Sequence, residues 1–96
     1  MTITQENLIQ EIAQTEGMEV TTVRTLFQSL ERHVFDHLSS TTESEPTVIK
    51  LLDGLRLECN YVPEKEMHTF DDVVRKAKIW VKPKITRYYN RKLNPG

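Results

Sequence analysis

A chain of 96 residues with a formal net charge of −1, 38% of it apolar and 28% charged, has room for one domain and one modest core. Its single cysteine, Cys59, excludes an internal disulfide framework, and no apolar run approaches the roughly 18 residues that span a membrane. The first residues lack the basic and apolar regions of a signal peptide, so the composition predicts a soluble, cytoplasmic protein.

The near-neutral total hides a polarised chain. Residues 1–47 carry eight acids against Arg24 and Arg32, and residues 48–74 carry six against Lys50, Arg56 and Lys65. Residues 75–96 hold eight Lys/Arg and no acid. Such a segment is either a solvated end or a surface that faces a polyanion.

In chain order, Thr4 is placed to cap a helix over about Gln5–Thr15, with Leu8, Ile9, Ile12 and Ala13 at helical spacing and Gly17 positioned to end it. A second helix is predicted over Val20–Leu38, its stripe formed by Val20, Val23, Leu26, Phe27, Leu30, Val34 and Leu38. Phe35 widens that stripe beyond what one small helix needs. The excess predicts a second subunit packed on Leu26, Phe27, Leu30, Val34, Phe35 and Leu38.

Ser39–Pro46 reads as a loop. Thr47–Leu52 and Leu55–Val62 read as strands joined by Asp53-Gly54, a strong hairpin signal. Alternation puts Leu55, Leu57, Cys59 and Tyr61 on one face and Arg56, Glu58, Asn60 and Val62 on the other, which makes Cys59 a small core residue. Pro63–Ala77 has no sustained period: a hairpin arm, a loop, and a short helix at Asp71–Lys76 all remain open. A third strand is predicted over Lys78–Lys82 and a final helix over Lys84–Leu93, opening at or just after Pro83. The expected class is α+β, in the order α-α-β-β-arm-β-α.

Few motifs point to chemistry. His33 and His37 stand four apart on the second helix, but two ligands without an accompanying acid or cysteine do not make a metal site. No phosphate loop and no local nucleophile signature appears, so neither an enzyme nor a cofactor is expected. Ala13, Gly17 and Val23 have the spacing of a helix-turn-helix, which would send Glu19–Phe27 into a major groove. Glu16, Glu19 and Glu31 around one Arg24 make phosphate attraction unfavourable there.

The order of elements resembles the HU/IHF family of bacterial histone-like proteins. Leu8-Ile9, Ile12-Ala13 and Gly17-Met18 resemble its first helix and turn. Val48–Leu57 resembles its strand-turn-strand, and Trp80-Val81-Lys82-Pro83 with Leu93-Asn94 resembles its Phe-Lys-Pro-Gly and terminal helix. Arg56 and Lys84 stand where that family carries glycines, and the segment after Glu58 is more acidic than the family's arm. The resemblance implies a single HU/IHF-like domain over residues 1–96, forming an intertwined homodimer with a three-stranded antiparallel sheet. It implies an architectural protein that binds double-stranded DNA with little sequence preference. Arg75, Lys76, Lys78, Lys82, Lys84, Arg87, Arg91 and Lys92 would then supply phosphate contacts. Trp80, Tyr88 and Tyr89 are interleaved with them and are expected mainly to pack. The alternative expectation is a fold of this kind that has lost DNA wrapping and serves as a structural or protein-interaction module, for instance in a phage particle.

Overall fold

The computed structural model describes residues 1–63, 65–67, 73–75 and 77–96, with only the backbone of 65–67 and 73–75. Its elements are α1 (Gln5–Glu16), α2 (Val20–Ser39), β1 (Thr47–Leu52), β2 (Leu55–Val62), β3 (Lys65–Met67), β4 (Val73–Arg75), β5 (Lys78–Ile85) and α3 (Arg87–Leu93). The chain forms two compact units, Met1–Phe35 and Asp36–Gly96, with the boundary inside α2.

In the first unit, α1 opens with a capping box. Thr4 Oγ1 accepts from the Asn7 amide, and Asn7 Oδ1 accepts from the Thr4 amide, so two otherwise unpaired donors are satisfied together. Gly17 ends the helix in the left-handed region, φ 63°, and its amide and that of Met18 both donate to the Ala13 carbonyl. Ile9, Ala13 and Val23 are buried together, with Val20 and Phe27 packed against them. The Ala13–Gly17–Val23 spacing is thus satisfied by a cap and a helix–helix contact. Arg24 pairs with Glu6, and the hydrogen bond from Arg24, aided by one from Gln10, holds the Glu6 carboxyl below the usual carboxylate range.

In the second unit, β2 is the middle strand of an antiparallel sheet in the order β1-β2-β5. Its partners run from Thr47↔Cys59 to Leu52↔Leu55 on one side and from Leu55↔Ile85 to Val62↔Lys78 on the other. The register shifts between Lys50 and Leu52, leaving Leu51 as an extra residue in β1. The end of α2 is tied to this sheet: Cys59 Sγ lies 3.9 Å from the Leu38 carbonyl it donates to. Buried Thr41 donates its hydroxyl to Thr47 Oγ1 at 2.7 Å.

Two sequence expectations change, and of the readings open for Pro63–Ala77 the described residues favour the hairpin arm. Val73–Arg75 is strand β4, paired with β3 in a separate two-stranded sheet, where a helix at Asp71–Lys76 was one alternative. Residues 71, 72 and 76 of that segment lie outside the described residues. The third strand does not stop at Lys82: β5 runs to Ile85, with Pro83 inside it opposite Leu57. An edge strand tolerates proline because the missing N–H can fall on its unpaired side. The last helix therefore opens not at Pro83 but at Arg87. Thr86 is its cap, accepting from the Tyr88 amide at 3.3 Å.

Asp53-Gly54 does form the expected β1–β2 turn, but not with the backbone that usually selects glycine, since Gly54 has no positive φ. Glycine is needed for close approach. A Cβ on Gly54 would overlap the ring of Tyr89, which lies against it. Thr86 completes the clamp, its amide donating to the Gly54 carbonyl at 3.0 Å and its hydroxyl to the Asp53 carbonyl at 2.9 Å. The β1–β2 turn and the start of α3 are thus one packed corner.

Two stability effects follow. Thr4→Ala removes half of the capping box and should cost about 1 kcal/mol in urea unfolding. Gly54→Ala should cost about 1–3 kcal/mol by overpacking. Combined with Tyr89→Ala, it should cost measurably less than the sum of the two single changes, because the clash partner is gone.

Candidate nucleic-acid interface

Strand alternation and register decide which basic side chains share a surface. Lys78, Trp80, Lys82 and Lys84 occupy alternate positions of β5, directly opposite Val62, Asn60, Glu58 and Arg56 of β2. Paired residues of an antiparallel ladder lie on the same face, and β1 adds Lys50 opposite Arg56 and Val48 opposite Glu58. One face therefore carries Lys50, Arg56 and Lys84 as a row across all three strands, with Lys82 and Lys78 further along β5. The other face carries Ile49, Leu55, Leu57, Cys59, Tyr61, Ile79, Val81 and Ile85.

Lys50 and Arg56 were not among the residues expected to contact DNA. Counting charge along the chain hid them, because they stand among acids in sequence and join the β5 lysines only through pairing. The signal available was the alternation of β2, which already separates Arg56 from the apolar positions.

The remaining candidates are less unified. Arg75 lies in β4, opposite Lys65 in the backbone register, and Lys76 lies outside the described residues. Arg87, Arg91 and Lys92 are exposed on α3, and no hydrogen bond or ion pair links them to the sheet among the described residues. Lys92 instead covers the Tyr88 ring, 5.1 Å from its centre, and Tyr88 meets Tyr89 edge-on at 5.8 Å. Tyr89 packs on the turn as expected for a structural aromatic. Trp80 remains 48% exposed on the cationic face, with Lys78 Nζ 4.4 Å from the ring centre.

Acids enter this face at one point. Glu58 Oε1 lies 3.2 Å from Arg56 Nη2 and 3.8 Å from Lys84 Nζ, so one carboxylate oxygen serves two cations from two strands. The Arg56 Nε–H is enclosed and has no acceptor among the described residues. Beside it, Lys50, Leu51, Leu52, Asp53, Arg56 and Thr86 line a cleft of about 370 Å³ at the packed corner.

No triad or larger group of His, Cys, Asp and Glu able to hold a metal occurs among the described residues, and His33 and His37 are exposed on α2. No described helix is long and apolar enough to cross a membrane. A scan against protein-family models finds no match, and no curated protein matches the sequence significantly.

The expected interface residues on α2 divide. Phe27 is half-buried against Ile9, Ala13 and Val23, and Val34 and Leu38 are also half-buried. Leu26, Leu30 and Phe35 are 56%, 48% and 68% exposed. The apolar sheet face is likewise incompletely covered, with Ile79, Val81 and Ile85 exposed.

Trp80 is the one tryptophan, so its fluorescence reports on this face alone. Iodide should quench it more strongly than caesium, because the surrounding lysines concentrate anions. Replacing Lys78 and Lys82 together with glutamine should remove most of that asymmetry.

Proposed function

We propose that this chain is an architectural DNA-binding protein of HU/IHF type, acting as a homodimer that holds duplex DNA through backbone phosphates with low sequence preference. The observation that carries the reading is the sheet register, which gathers Lys50, Arg56, Lys78, Lys82 and Lys84 on one face of three strands. A flat array of cations from separate strands suits a phosphate backbone, and it offers few of the side chains that read base edges.

The element order supports the same reading. Two N-terminal helices, a three-stranded antiparallel sheet, a small two-stranded hairpin between β2 and β5 in sequence, and a short final helix are the layout that the resemblance implies. The homodimer is supported by a shortage of core. Among the described residues the buried apolar side chains are Ile9, Ala13, Val23 and Cys59, while Leu26, Leu30, Ile79, Val81 and Ile85 stay exposed. A domain of this size stabilises itself by burying more than that, and self-association is the direct way to do so.

A second reading, a structural or protein-interaction module of the same fold, is favoured by two features. Glu58 occupies two of the five cations on the sheet face, and residues 1–47 are strongly acidic. The two readings separate in solution. For the DNA reading, random duplex should bind at low salt and lose roughly two orders of magnitude in affinity over a fourfold rise in salt. Absence of binding at low salt would overturn it. Gel filtration should give a dimer mass, and Leu26→Glu with Leu30→Glu should shift it to a monomer with lowered stability.

A further inference from the structure

Glu58 is placed as an anion would be. Its neighbours in the ladder are Lys82 on β5 and Val48 on β1, with Arg56 and Lys84 one cross-strand pair away on the same face. Its Oε1 reaches both Arg56 Nη2 and Lys84 Nζ, while the Arg56 side chain keeps an enclosed Nε–H without an acceptor. A guanidinium presents five N–H donors in a fixed fork, and one carboxylate oxygen near Nη2 leaves most of them unused. A phosphoryl group brings more acceptor oxygens and matches that fork better.

We propose that Arg56, Lys84 and Lys82 form a phosphodiester site that the protein's own Glu58 carboxylate occupies in the free state. The inference rests on the DNA-binding reading and deepens it, because it assigns one phosphate position and a residue that restrains binding there. DNA must displace Glu58 to use the site. The carboxylate has a short, exposed path away, since its side chain is 35% accessible and Lys84 is 55% accessible. Displacement leaves an acid close to the incoming phosphate, so Glu58 lowers affinity and reduces the number of counterions released. The acid also discriminates. A dense polyanion, whose neighbouring phosphates are held by Lys50 and Lys78, can displace it, whereas an isolated anion competes poorly.

The test compares wild type with Glu58→Gln and Glu58→Thr, two replacements suited to a strand, each checked for an unchanged melting transition. Equilibrium titration of a random duplex across a salt series should give about fivefold tighter binding for both variants. The log–log salt slope should steepen by about 1.8 per dimer, about 0.9 for the one phosphate contact added in each protomer. Adding Arg56→Gln to Glu58→Gln should cancel the gain. Unchanged affinity and slope in folded Glu58 variants that bind DNA would overturn the proposal, as would a gain that survives loss of Arg56.

If wild type fails to bind duplex at low salt, the DNA-binding reading falls by itself. Inorganic phosphate then decides the site. Side-chain NMR shifts of Arg56 and Lys84 should saturate at least threefold earlier in Glu58→Gln than in wild type, and equal titrations would overturn it.

Discussion

Strand β2 is the constraint on which the second unit depends. It is hydrogen-bonded along both edges, so neither neighbour can slip without exchanging the two faces of the sheet. A slip of one residue would bring Arg56 and Glu58 to the apolar side and expose Leu57 and Cys59. Cys59 marks the penalty, since it is fully enclosed and its thiol meets the Leu38 carbonyl at the end of α2. The buried thiol thus fixes the register, and the register fixes which cations stand together.

The same constraint separates packing from charge. Side chains on one face of the sheet are mostly apolar, with Thr47 beside Cys59, and five cations with one acid lie on the other. Ordinary surface ion pairs contribute little to stability, because solvent screens them and ordering long side chains costs entropy. The Arg56–Glu58–Lys84 cluster is therefore better understood through what it does to the local potential than through what it adds to the fold. Stability at that end comes from the corner where Thr86, Gly54 and Tyr89 meet, with two backbone hydrogen-bond acceptors satisfied and a ring seated on a glycine.

Most of the element order was legible in the residues, for local reasons. Thr4 and Gly17 mark the ends of α1 through caps that operate within a few residues. Period-two alternation identifies β2 and both of its faces, and Asp53-Gly54 identifies the hairpin. Two boundaries, the end of β5 and the start of α3, differ because a local rule points the other way. Pro83 commonly begins a helix, and here it sits within an edge strand where pairing to Leu57 outweighs that preference. Val73–Arg75 has no pattern of its own, so the sequence leaves a hairpin arm as one of three alternatives, and pairing with Lys65–Met67 selects it. Glycine at position 54 was anticipated for the turn, yet the reason for it is a ring thirty-five residues later in the chain.

By itself, the sequence determined the α+β order, the amphipathic character of each element, the isolation of Cys59 and the concentration of basic residues after Arg75. These properties depend on composition and on neighbours within a few positions. Tertiary structure alone decided that Lys50 and Arg56 join Lys78, Lys82 and Lys84, that Glu58 sits between two of them, and that α3 begins at Arg87 behind its Thr86 cap. Charge density on a surface depends on which strands pair and in which register. That is a long-range choice made by strand pairing, and no count of charges along the chain contains it.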